Sequence, residues 1–130
     1  MKVKYSDLFD RWTILLMKAE VDETAKLELS TYQVEILRSI ADCPVGRMRD
    51  LFPAIVGIAM ANAKIWGCEA AIRMECPKDP AAGGPAPDLR EIGRRALEIR
   101  SYNKLRLKAK AEIDDIFGEF RDKKVDHASA

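Results

Sequence analysis

The sequence predicts an all-α fold, an antiparallel up-and-down helical bundle of three to four helices with two long C-terminal helices. Three observations predict it. Apolar residues make up 48% of the chain and charged residues 33%, with few aromatics, a mix that suits helices packed on helices. Apolar positions recur with helical spacing through residues 48–76 and again through 88–120. Only one stretch, residues 77–87 (PKDPAAGGPAP), is rich enough in Pro and Gly to forbid regular structure. At 130 residues the chain is expected to form a single domain, 1–130, with a real core.

Ser6 and Asp7 are placed to cap a first helix. Its Phe9, Trp12, Ile14, Leu15, Leu16 and Met17 cover much of the circumference, so contacts from several sides are expected. Asp22, Glu23 and Thr24 mark a break or bend. A second helix then runs to about Ala41, and the capping-box spacing of Ser30 and Gln33 leaves a later start open. Residues 42–46 form a short turn, and a third helix continues to about Glu75. Pro53 lies near its beginning, as a kink or as the true first turn.

Ala59, Ala63, Gly67 and Ala71 recur every four residues in the third helix, a stripe that lets another helix come close. Packing inside the bundle is favoured over self-association for it. After the linker, Asp88 caps the fourth helix, with Glu91 at capping-box distance. That helix is expected to reach about Phe120 and to end in a frayed polar tail, 121–130. The expected core is Phe9, Trp12, Leu15, Leu16, Leu37, Ile55, Ile58, Ile65, Trp66, Ile72, Ile92, Leu97, Ile99, Ile113, Ile116 and Phe117.

Within both long helices the apolar seam turns polar. Asn62, Trp66, Glu69 and Arg73 share one face of the third helix; Asn103, Arg106 and Lys110 share one face of the fourth. Antiparallel pairing that starts with Cys76 opposite Asp88 gives partner numbers summing to about 164. In that register Arg73 faces Glu91, Glu69 faces Arg94 and Arg95, and Asn62 faces Tyr102 and Asn103. A structural reading makes the seam a set of hydrogen-bonded ion pairs that fixes register. A functional reading makes it a pocket for an anionic or polar ligand, with Asn62, Glu69, Arg73, Arg95, Asn103 and Arg106 as the ligand-binding candidates. The structural reading is favoured, because ionic clusters also occur without function.

Net charge is +1, which excludes a simple polyanion-coating protein. The fourth helix is nonetheless basic over residues 89–110, with eight Lys or Arg against Glu91 and Glu98. Those charges are spread around the helix, and only Tyr102 interleaves them for base stacking. A solvated face with internal ion pairs is favoured, and nucleic acid is not an expected partner.

Cys43, Cys68 and Cys76 form no CxxC pair, and their odd number argues against a disulfide framework. Cys68 and Cys76 are expected to be buried as small apolar groups. His127 is the single histidine and lies in the tail, so neither a His/Cys zinc site nor a Ser/His/Asp or Cys/His catalytic set is supported. No catalytic residue, metal ligand or cofactor is assigned.

The start, MKVKYSDLFDRW, has no apolar signal core, and the most apolar stretch, residues 53–63, is too short to span a bilayer. A cytoplasmic protein without a membrane partner is expected. Metal-dependent nucleotide pyrophosphatases use an ExxE pair and a later ExxD pair. Glu20 with Glu23 and Glu112 with Asp115 supply those spacings, but far apart in the chain. No Gly-rich phosphate loop occurs, since Gly83-Gly84 lacks a following Lys-Ser or Lys-Thr.

Three stretches together resemble an uncharacterised bacterial family of small all-helical proteins, a domain of unknown function. They are DLFDRWTILLMKAE (residues 7–20), NAKIWGCEAAIR (62–73) and GRRALEIRSYNKLRLKAKAEID (93–114). The first is similar to that family's Asp-Lys/Arg-hydrophobic-Ile-Leu-x-x-Lys start. The second is similar to its Asn-x-x-(Leu/Ile)-Trp-x-x-Glu-x-x-Ile-Arg segment. The third looks like its late helix with an Asn followed by Arg and Lys. The resemblance implies an all-helical fold and polar residues at Asp10, Lys18, Asn62, Glu69, Arg73, Asn103 and Arg106. It implies no activity. The second helix and the linker fall outside it.

The function expected from these features is binding, to a protein partner or as a homo-oligomer, by a cytoplasmic helical bundle, with a binding role favoured over an enzymatic one. The alternative is a small-ligand binder or metal-dependent nucleotide hydrolase that uses the polar seam. Nucleic-acid binding through residues 89–110 ranks third.

Overall fold

The computed structural model describes residues 3–76 and 86–118. Four helices follow in order: α1 (Tyr5–Lys18), α2 (Glu23–Asp42), α3 (Met48–Glu75) and α4 (Leu89–Phe117). The described residues contain no strand. The all-α class and the two long C-terminal helices are thus as the sequence predicts. Residues 77–85 of the linker and the whole 121–130 tail lie outside the described residues.

Helix boundaries follow from local chemistry. Asp88 caps α4, its carboxylate accepting from the backbone N–H groups of Arg90 and Glu91 at 3.1 and 3.2 Å. Asp22 caps α2 in the same way, accepting from the Thr24 N–H at 2.9 Å. The break after α1 therefore falls just before Glu23. Ser30 lies inside α2, where its hydroxyl donates to the Lys26 carbonyl. The start of α1 differs from expectation: Lys4 is the N-cap and offers no side-chain bond. Ser6 is instead buried inside the helix, and Asp7 sits in the first turn, where its negative charge is favourable beside the positive end of the helix dipole. Pro53 lies within α3. α4 ends at Phe117 because Gly118 adopts a left-handed conformation, φ +68°.

α3 and α4 pack along each other, both pack against α1, and α2 lies along α1. α4 comes close to α3 at Gly57, where an added Cβ would stand 3.5 Å from the Ala109 Cβ. Gly57 and buried Ala61 thus form the small-residue contact with α4. The stripe read from the sequence is not that contact: Ala63 and Gly67 are exposed, and a Cβ on Gly67 would meet nothing.

The core draws on all four helices. Phe9, Ile36, Leu51, Ala54, Ile58, Ala109, Ile113 and Ile116 form one buried cluster, with Trp12, Ile55 and Phe117 half-buried against it. Each fully buried Leu, Ile or Phe contributes roughly 1.5–3 kcal/mol. Tyr5 stacks on Phe117 with ring centroids 4.0 Å apart, and its hydroxyl donates to Asp42, closing one end of the bundle. Three expected core residues stand outside it: Leu16, Leu37 and Leu97 are 40%, 68% and 66% exposed. Leu37 is exposed because α2 has a helical neighbour only in α1. Leu97 belongs to the outer side of α4.

α3 consequently has three faces. Gly57, Ala61 and Cys68 meet α4, while Leu51, Ile58 and Asn62 point toward α1 and the core. A third face carries Phe52, Val56, Met60, Ala63, Gly67 and Met74, all exposed. By length and composition α3 is apolar enough to cross a membrane, with a mean hydropathy of 1.4. Here it packs against α1 and α4, with only 33% of its apolar stretch buried.

Candidate functional site

The polar seam resolves into a buried knot joining α1, α3 and α4. Its centre is Asp10 of α1, which lies outside the polar faces read on the third and fourth helices. The Asp10 carboxylate accepts from Arg106 Nε at 2.8 Å and Nη2 at 2.5 Å, a two-pronged pair across 96 residues of chain. Asn62 Nδ2 donates to Asp10 Oδ1 at 2.9 Å and to the Thr13 hydroxyl at 2.8 Å. Thr13 in turn donates to the Asp10 carbonyl. Asp10, Thr13 and Asn62 are each at most 5% exposed. Lys110 adds a salt bridge to Asp7 at 2.7 Å and a longer one to Asp10 at 3.9 Å.

These contacts govern ionisation. Burial alone would push the Asp10 carboxyl up. Hydrogen bonds from Arg106 and Asn62, with the charges of Arg106 and Lys110, outweigh it and hold the group below the ordinary carboxylate range. The Asp10 hydrogen bond raises the Arg106 guanidinium in turn, against the opposing pull of burial. Asp10 is therefore an anion held by its partners at neutral pH, which makes it a poor general base.

Beside the knot opens a cleft of about 300 Å³, floored by Asn62 and Arg106 and walled by Lys18, Glu69, Trp66 and Asn103, with aliphatic side chains of α1 and α3 completing it. Four of the six ligand-binding candidates, Asn62, Glu69, Asn103 and Arg106, meet here. Asn103 accepts a long hydrogen bond, 3.4 Å, from Arg106. Of the seven polar residues implied by the family resemblance, all but Arg73 belong to the knot or this cleft.

Arg73 and Arg95 lie elsewhere. Arg73 is exposed in the last turn of α3 and has no ion pair with Glu91. Glu91 instead pairs with Arg94 at 2.6 Å and Arg95 at 3.1 Å on its own helix. Glu98 also pairs with both arginines. The expected Glu69 contact with Arg94 or Arg95 is therefore absent: partners one turn away within α4 outcompete a carboxylate on another helix. Glu98 reaches α3 at another residue, accepting from the Cys68 thiol at 3.3 Å. Burial and that carboxylate push the Cys68 thiol up, so it is a buried, unreactive group. Cys76, expected to be buried, is exposed at the end of α3. The Gly57–Ala109 and Cys68–Glu98 contacts set a register two residues beyond the one expected.

The carboxylates suggested for a metal-dependent hydrolase do not converge. Asp7 and Asp10 of α1 face Lys110 and Arg106 of α4, so these helices run antiparallel and Glu20 and Glu23 lie at the opposite end from Glu112. Among the described residues no group of three or more His, Cys, Asp or Glu side chains is placed to hold a metal ion.

The outer face of α3 is the second candidate site. A groove of about 310 Å³ runs between it and α4, with apolar walls from Pro53, Met60, Tyr102 and Leu105. Lys64 and Lys108 line it against one acid, Glu112. Among the described residues, Lys64, Arg100, Lys104 and Lys108 have no salt-bridge partner within 4.0 Å. The sequence shows the basic half of this surface in residues 89–110, but not the apolar half on α3 that it adjoins. The chain matches no protein-family model, no curated protein and no solved structure.

Proposed function

We propose that this protein is a cytoplasmic interaction module whose partner docks on the outer face of α3 and the groove beside it. The observation that carries this reading is a row of large apolar side chains standing in water. Phe52 is 68% exposed, Met60 61% and Leu105 56%. Scattered exposed apolar residues are ordinary, but a continuous face along one helix marks an interaction surface. No charged side chain interrupts the row Phe52, Val56, Met60, Ala63, Gly67 and Met74, which occupies about a quarter of the helix circumference. Met and small residues suit a surface that adapts to its occupant.

The occupant is a partner helix with an apolar stripe and acidic flanks. Its apolar residues would fill the groove, and its carboxylates would meet Lys64, Lys104 and Lys108. A second copy of this chain fits less well, because antiparallel pairing of two α3 helices near Ala63 would bring two Lys64 side chains together. The Asp10–Asn62–Arg106 knot has a structural part in this account: it anchors α3 to α1 and α4 and so presents the outer face.

The test uses a synthetic amphipathic peptide with leucines on one helical face and glutamates flanking them, labelled for fluorescence anisotropy. Micromolar binding that weakens with salt is expected. Lys64→Glu with Lys108→Glu should weaken it at least tenfold, as should Met60→Glu. Equal binding of a peptide with lysine in place of glutamate would overturn the reading. So would a Met60-dependent dimer in sedimentation, or binding to anionic vesicles in preference to the peptide.

A further inference from the structure

We infer that the cleft beside the buried knot binds a small zwitterion, a free amino acid with an apolar side chain. The argument starts from charge. Asp10 is matched by Arg106, and Lys110 by Asp7, so the knot is closed. Lys18 and Glu69 line the adjoining cleft, and neither has a salt-bridge partner within 4.0 Å. They do not pair with each other, so more than 4.0 Å separates them. The cleft thus carries one cation and one anion without an ion pair among the described residues, and a molecule bearing both charges would match the two together.

The remaining surfaces fix orientation. The Asn103 carbonyl oxygen accepts from Arg106, which leaves its amide N–H groups for a ligand carboxylate beside Lys18. Glu69 takes the ammonium group. Trp66, half-buried, offers an apolar wall to the side chain. About 300 Å³ is at the small end for ligand sites, which excludes nucleotides and suits a single amino acid. The floor is rigid, because Asn62 and Arg106 are held by bonds on their buried sides. This site lies on the α1 side of α3 and is independent of the partner proposed for the outer face.

The experiment is calorimetric titration with L-leucine, L-methionine and L-phenylalanine. Two leucine analogues each lack one charge: 4-methylpentanoate has no ammonium group, and 3-methylbutylamine has no carboxylate. Saturable binding of at least one amino acid is expected, with at least tenfold weaker binding of both analogues. Glu69→Gln and Lys18→Met should each weaken binding about tenfold, the equivalent of one lost charge contact. Both residues are exposed and unpaired, so these variants will fold, and unchanged melting temperatures verify it. No saturable binding at millimolar concentration would overturn the inference. Binding unaffected by either substitution, or equal binding of an analogue, would do the same. Peptide binding at the outer face is measured separately, so either proposal can fail alone.

Discussion

Two sides of α3, little more than a helix diameter apart, reverse the usual distribution of polarity. On the side facing α1, Asn62 is buried in hydrogen bonds with Asp10 and Thr13. On the opposite side, Phe52 and Met60 stand mostly in water. The buried side is polar where three helices must be locked in one arrangement. The open side is apolar where no element of the described chain covers it. A helix apolar nearly all round is normally enclosed. The comparison supports a part in fold specification for the buried knot and motivates the partner proposed for the apolar side.

The largest effect expected from breaking this comparison is at Arg106. Arg106→Met leaves Asp10 buried without its main partner and should cost about 4 kcal/mol in denaturant unfolding. Replacing Asp10, Asn62 and Arg106 together with apolar residues of similar size should restore much of that loss, because neither charge of the pair is then left buried without its partner. A loss under about 1 kcal/mol for the single change would place the pair among ordinary surface bridges instead.

The next contrast is between two residues of α3 on opposite sides. Ile58 is fully buried, so Ile58→Ala should cost about 3 kcal/mol. Met60→Ala, two positions on, should change stability by no more than about 0.5 kcal/mol. Equal costs would mean that the outer face is covered in the free protein.

Helix extents were largely legible in the sequence, because caps and breakers act locally. Asp88 and the Pro/Gly-rich stretch bracket the start of α4, and α3 runs to Glu75 as expected. What the sequence concealed was which helix answers which polar residue. Asn62 was paired with Tyr102 and Asn103 on α4, yet its hydrogen bonds go to Asp10 and Thr13 on α1. Asp10 and Thr13 lie three residues apart on one face of α1, and that spacing is a usable signal. Glu69 was paired with arginines that Glu91 and Glu98 already satisfy within α4. Register could not be fixed either, since a long linker leaves the pairing of two helices free to shift by residues.

Acid should act on the buried side. Asp10 has a lowered folded value, so its stabilisation is complete above the unfolded carboxylate value, about 3.9. It is lost as pH falls through the lower folded value. Melting temperature should therefore drop more steeply in the wild type than in Asp10→Asn as pH falls below about 4. Parallel curves would remove Asp10 from the account.

The smallest effect concerns α4. Gly93 lies within that helix, is exposed, and has nothing within 4 Å of an added Cβ. Gly93→Ala should stabilise the protein by roughly 0.5–1 kcal/mol through backbone entropy, without altering either face of α3. A destabilised variant would show that something approaches this face of α4.

The division of α3 into a folding side and a docking side is tested most directly by measuring two quantities on one variant. For Met60→Glu, thermal unfolding and affinity for the acidic amphipathic peptide should separate. The account predicts an unchanged melting temperature with at least a tenfold loss of peptide affinity. A melting temperature lowered by several degrees, with peptide affinity intact, would contradict it.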